Sequence, residues 1–138
     1  MKKVLLDTNI IIDLLAKRDP FYQEAARLFS FADKGKVLLF TSALSVANVN
    51  YVLLKQGNPE VAKQILRNLK LIVGIISIDE KSISLALNDN EFSDFEDALQ
   101  YFSAIENNID IIISRNLKDF EKSKLPVMTA GQFNEIIK

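Results

Sequence analysis

Short, continuously apolar runs alternate along this chain with longer stretches in which apolar residues recur every three or four positions. The runs Val4–Leu6, Val37–Phe40, Leu71–Ile78, Ile109–Ser114 and Leu125–Met128 predict buried strands, the last at an edge because Pro126 removes a ladder donor. Between them the spacing predicts helices. One opens at Thr8 or Asn9 and carries Ile10, Ile11, Leu14 and Leu15; a second restarts at Asp19-Pro20 and ends at Gly35. Ser42 opens a third, with Leu44, Val46, Ala47, Tyr51 and Leu54 before Gly57, and Pro59-Glu60 starts a fourth. Asp79 caps a helix with Ile83, Ala86 and Leu87; Phe95–Asn107 is helical with Phe95, Leu99, Phe102 and Ile105 or Ala98 inward; Thr129 caps the last. Asp89–Ser93 and Asn116–Phe120 read as loops or turns. Alternating strands and helices with apolar strand cores favour a three-layer α/β/α sandwich around a parallel sheet of about five strands. No repeat, linker or low-complexity stretch divides the chain, so residues 1–138 read as one domain.

Composition narrows the chemistry. The chain has no cysteine and no histidine. Thiol nucleophiles, thiolate or imidazole zinc sites, Ser-His-Asp triads and a histidine general base are excluded. Seventeen basic and 18 acidic residues give a net charge of −1, unlike a strongly basic nucleic-acid binder. The longest apolar run, Leu71–Ile76, spans six residues, whereas a membrane helix needs about 20. Asp7 and Asp13 interrupt the apolar start before any cleavage site, so a cytoplasmic protein is expected.

In parallel α/β folds, sites lie beyond the carboxyl ends of strands. Three strand ends carry polar groups: Asp7-Thr8-Asn9, then Thr41-Ser42 with Asn48 and Asn50 on the following helix, and Ser114-Arg115-Asn116 with Asp119. Upstream of the last lies Asp89–Asp97, where five of nine residues are acidic. First-turn acids answer a helix dipole, which accounts for Glu91, Glu96 and Asp94 without any function. Asp7 could likewise be a helix cap, Asp119 could cap a turn, and Asp13 is expected to be solvated. Asp97 differs, because it precedes Ala98 and Leu99 near the apolar face, where a lone carboxylate is costly. If Asp7, Asp97 and Asp119 converge, like charges about 4 Å apart repel by roughly 1 to 4 kcal/mol. An oxygen-only cluster of that kind suits Mg²⁺ or Mn²⁺.

With these residues in place the chain resembles a PIN domain, over almost its whole length. The resemblance is carried by Val4-Leu5-Leu6-Asp7-Thr8-Asn9, by Asp94-Phe95-Glu96-Asp97-Ala98-Leu99-Gln100, and by Ile111-Ile112-Ile113-Ser114-Arg115-Asn116-Leu117-Lys118-Asp119-Phe120, in that order. It is most similar to the small proteins of the VapC toxin type. The resemblance implies a parallel sheet with helices on both faces and Mg²⁺- or Mn²⁺-dependent RNA cleavage by three or four acids. It implies a homodimer that binds a small antitoxin. It makes Asp7, Asp97 and Asp119 the catalytic acids, with Asp7 and Asp97 on the metal. Thr8, Asn9, Asp94, Ser114 and Asn116 would be accessory, and Arg115 or Lys118 would contact phosphate. The family's second acid is a glutamate on the helix after the second strand. Here Thr41–Tyr51 contains no acid, and Asn48 falls at that position. Two readings therefore stand: a metal-dependent ribonuclease, or a PIN-fold RNA- or protein-binding module with weak or lost cleavage. A phospho-receiver would need a lysine after the last strand, where the chain runs Met128-Thr129-Ala130.

Overall fold

Five parallel strands form one sheet in the computed structural model, which describes residues 1–138. They are β1 (Lys3–Leu6), β2 (Leu38–Ser42), β3 (Val73–Ile76), β4 (Ile111–Ile113) and β5 (Val127–Met128), in the order β3-β2-β1-β4-β5. The helices are α1 (Thr8–Leu15), α2 (Tyr22–Asp33), α3 (Ala43–Leu54), α4 (Pro59–Leu69), α5 (Glu80–Asn88), α6 (Phe95–Glu106) and α7 (Ala130–Ile137), with a 3-10 turn over Leu117–Phe120. Parallel neighbours require crossovers, and the helices supply them.

Alternation along the strands assigns the layers. Val4, Leu6, Ile111 and Ile113 point into a core with Ile10 and Ile11 of α1, Leu28 and Phe29 of α2, Val49 of α3 and Phe133 of α7. Leu5 and Ile112 point the other way, onto Tyr101 and Ala104 of α6 and onto Phe120. The sheet is thus covered on both faces, the three-layer α/β/α arrangement that the apolar runs predict. At Gly74 the sheet tolerates no side chain. It pairs with Phe40, and a Cβ there would lie 2.7 Å from that ring.

The chain winds from β1 outward to β2 and β3, then returns to β4 on the opposite side of β1. The connection therefore reverses between β1 and β4, and a crevice opens beyond their carboxyl ends.

Several predicted boundaries move. α2 starts at Tyr22, not at Pro20, because a turn intervenes, in which Tyr22 N–H donates to the Arg18 carbonyl at 2.7 Å. β3 covers Val73–Ile76 rather than Leu71–Ile78. The N–H groups of Leu71 and Ile72 close the end of α4, donating to Asn68 and Leu69 carbonyls at 3.1 and 3.0 Å, and so are spent before the ladder begins. Phe95, Ile105 and Tyr51, expected to face inward, are exposed. On α6 the expected Ala98 and Leu99 do face inward, joined by Tyr101 and Ala104. No helix is long and apolar enough to cross a membrane.

Candidate active site

Asp7 ends β1 and caps α1. Its backbone N–H donates to the Ile113 carbonyl at 2.9 Å, which fixes it against the end of β4. Both carboxylate oxygens are held: Oδ1 accepts the Thr8 N–H and Oδ2 accepts the Ser114 hydroxyl, each at 2.8 Å. Ser114 is fully buried and its Oγ also accepts the Asn116 N–H at 3.0 Å. Burial pushes the Asp7 carboxyl above its ordinary range, while the Ser114 and Thr8 hydrogen bonds and Arg115 pull it back.

Asp97 arrives from the opposite wall, in the first turn of α6. Asp94 caps that helix, its Oδ1 accepting the Asp97 N–H at 3.0 Å. The Asp97 carboxyl is pushed up to about 7, first by burial and then by the charges of Asp94, Asp119, Asp7 and Glu96. Asp119 lies on the 3-10 turn, which Phe120 anchors by packing near Phe92. These acids face one cavity of about 280 Å³ with no apolar lining residue. Thr8, Asn9, Asn48 and Asn116 line it too, so the residues singled out after three different strands meet there.

The carboxylates share that cavity without closing into a ready ligand shell; no three of them form a metal-holding group. Their donor set is nonetheless all oxygen, and beside burial, the larger cause, the charges of Asp94, Asp119, Asp7 and Glu96 push Asp97 up, a repulsion that a cation would relieve. Such donors fit a hard divalent ion.

Arg115 and Asp13 do not behave as the sequence suggests. Asp13 is 1 % exposed, not solvated. Its carboxylate meets Arg115, with Nε–Oδ2 at 2.9 Å and Nη2 donating to Oδ1 at 3.2 Å. The guanidinium also lies 3.9 Å from the centre of the Phe21 ring. Arg115 is thus committed on the far side of the loop that carries Ser114, outside the acidic cavity. The buried charge of Asp13 explains this, since it needs a counter-ion and Arg115 is the one in reach. Burial raises the Asp13 carboxyl, and Arg115 opposes the rise.

Two cavity residues escape the sequence reading: Glu96, taken as a solvated first-turn acid, and Gln100. Gln100 is 5 % exposed, and its Nε2 donates to Ser45 Oγ at 2.7 Å. Thr8 donates to the same oxygen at 2.8 Å, so one buried hydroxyl ties α1, α3 and α6 together. The spacing of Asp97 and Gln100, three apart on one helix face, is the signal that could have found it.

The acids also make stability depend on pH in a stated direction. Asp97 holds its proton more tightly folded than unfolded, so its contribution is lost as pH rises from its ordinary value toward about 7. Asp7 acts in the same sense, while the lowered Asp79 and Glu135 act oppositely and at lower pH. In EDTA the melting temperature is expected to fall between about pH 5 and pH 8, and Asp97→Asn should flatten that fall. An equal slope in both proteins would show that Asp97 is not the titrating group.

An acidic crevice at the reversal of a five-stranded parallel sheet defines the class, and comparison with known proteins agrees. The family model described as PIN domain matches residues 3–118, and the chain belongs to the PIN domain family. It is 31 % identical over 141 residues to Ribonuclease VapC1 of Aquifex aeolicus (strain VF5), covering 97 % of this chain and 94 % of that one. Its fold is similar to VapBC-1 from nontypeable Haemophilus influenzae, with a TM-score of 0.68, 18 % identity, and 94 % and 98 % of the two chains covered. It is also similar to a toxin–antitoxin complex from Klebsiella pneumoniae, with a TM-score of 0.66, 25 % identity, and 92 % and 97 % covered.

Proposed function

We propose that this protein is a divalent-metal-dependent endoribonuclease, the toxin of a toxin–antitoxin pair, acting as one domain in the cytoplasm. The observation that carries the reading is the gathering of acids from three segments around one polar cavity, with Asp97 pushed up to about 7. Asp7 and Asp97 would hold Mg²⁺ or Mn²⁺, and Asp119 with Asn116 would orient water. The metal supplies an activated water and stabilises charge developing on the phosphoryl group. Ser114 keeps Asp7 aimed, and Asn9 presents its amide to the substrate backbone, while the Thr8 hydroxyl is given to Ser45. Arg115, paired with Asp13, is not assigned to phosphate; Lys118, exposed on the turn that carries Asp119, is the basic group left for it.

The relationship to Ribonuclease VapC1 supports RNA as substrate, and the toxin–antitoxin complex from Klebsiella pneumoniae among the similar structures supports an antitoxin partner. A second reading, a binding module with weak cleavage, draws on Asn48 standing where the family pattern has a glutamate.

The deciding experiment incubates purified protein with a mixed RNA in Mn²⁺, in Mg²⁺ and in EDTA. Cleavage with either metal and none in EDTA is expected. Intact RNA in all three, with RNA still retained on the protein, would transfer the conclusion to the binding module.

A further inference from the structure

The acidic run before α6 holds more carboxylates than capping uses. Asp89 Oδ2 accepts the N–H groups of Glu91 and Phe92, at 3.1 and 2.8 Å, and Asp94 caps the helix. Glu96 has no such backbone task. Its Oε1 accepts the side-chain amide of Asn48 at 3.4 Å, across the cavity from α3. The contact is exposed and long for a hydrogen bond, yet it joins two helices 48 residues apart in the chain. The pairing also fixes the amide. A carboxylate only accepts, so Asn48 must present Nδ2 to Glu96, which leaves its Oδ1 free to accept.

A second observation concerns a residue that lines the same cavity. Gln100, one turn beyond Glu96, is 95 % buried by its 5 % exposure, yet its Oε1 has no hydrogen-bond partner. A buried carbonyl oxygen left unmatched is costly, and Gln100 lines the cavity in which a cation and its waters would sit. The unmatched oxygen and the Asn48–Glu96 contact belong to adjacent turns of one wall.

We propose that Glu96 supplies the fourth negative charge of this site beside Asp7, Asp97 and Asp119, Asp94 being spent as the α6 cap: the carboxylate absent from α3 at Asn48 stands instead on α6, and Asn48 positions it. The inference rests on the cation-site reading above. It explains why an amide suits position 48. A glutamate there would set two carboxylates within hydrogen-bond distance of each other, whereas an amide donates to the one already present. One charge is thus shared out between two facing helices, and its home is Glu96.

The test is Mn²⁺ binding by isothermal titration calorimetry on the full chain, comparing wild type, E96Q, N48E/E96Q and D7N. Metal-free melting curves establish that each is folded. E96Q is expected to weaken binding roughly 10- to 100-fold, the range for groups that support a metal without dominating it. N48E/E96Q, which returns the charge to α3, is expected to bind near the wild-type affinity. Unchanged affinity in E96Q with a clear loss in D7N would overturn the role of Glu96 alone. A double variant as weak as E96Q would overturn the exchange of charge between the helices. Unchanged affinity in D7N would overturn the cation site itself, and this proposal with it.

Discussion

Asp7→Asn is expected to reduce metal-dependent RNA cleavage by about 100-fold or more, since a metal's electrostatic contribution is worth several kcal/mol and each tenfold is about 1.4 kcal/mol. The substitution keeps the shape and most of the bonding. An amide oxygen can still accept the Thr8 N–H, and the Ser114 hydroxyl can turn to accept from the amide. What disappears is one charge, already disfavoured by burial. The metal-free protein should therefore melt at or slightly above the wild-type temperature, while the stabilisation that Mn²⁺ gives by linkage is lost. That combination separates a ligand from a structural prop: a prop would lower the metal-free melting temperature. Initial cleavage rates and melting curves with and without Mn²⁺ make the measurement, and a wild-type rate in the Asp7→Asn protein would remove Asp7 from the chemistry.

The second large effect lies outside the cavity. Asp13→Asn leaves the Arg115 guanidinium half-enclosed and without its counter-charge. Removing one partner of a buried pair costs about 3–5 kcal/mol. The Arg115 side chain is 26 % exposed and can recruit some water, which places the expected loss at the low end, about 3 kcal/mol, or roughly 10 °C in melting temperature. Urea denaturation measures it directly. Replacing both partners with apolar residues, as Asp13→Leu with Arg115→Met, should recover much of the loss. An unchanged midpoint in Asp13→Asn would mean that the pair contributes nothing and that Arg115 is free for another task.

The layered fold is legible in the sequence because strand cores of three or four apolar residues can only be buried on both faces. Asp7 and Asp119 stand out because each follows a strand's carboxyl end, and Asp97 because it precedes Ala98 and Leu99 at the edge of an apolar face. Other features depend on partners far along the chain. Ile10, Ile11, Ile12 and Asp13 are all buried, so α1 has no single wet face for a periodicity to reveal. Only Arg115, 102 residues later, shows why an aspartate can sit among them. The same holds for Glu96, which residue type alone assigns to solvent until Asn48 is seen opposite it. β3 is misjudged for a local reason: Leu71 and Ile72 are apolar and β-compatible, yet their amide groups are already engaged in ending α4.

The bond from the Asp7 N–H to Ile113 and the one from Ser114 to Asp7 join residues more than a hundred positions apart. During synthesis the first of these residues leaves the ribosome long before the last exists. A nascent chain that has reached α6 owns Asp7, Asn48 and Asp97, but it lacks the strand that aims Asp7 and the turn that carries Asp119. Such a contact is non-local and forms late, because closing a long loop must precede any gain from it. The cavity is therefore a product of chain completion. Truncation before residue 111 is expected to leave a polypeptide with most of the acids and no assembled cavity.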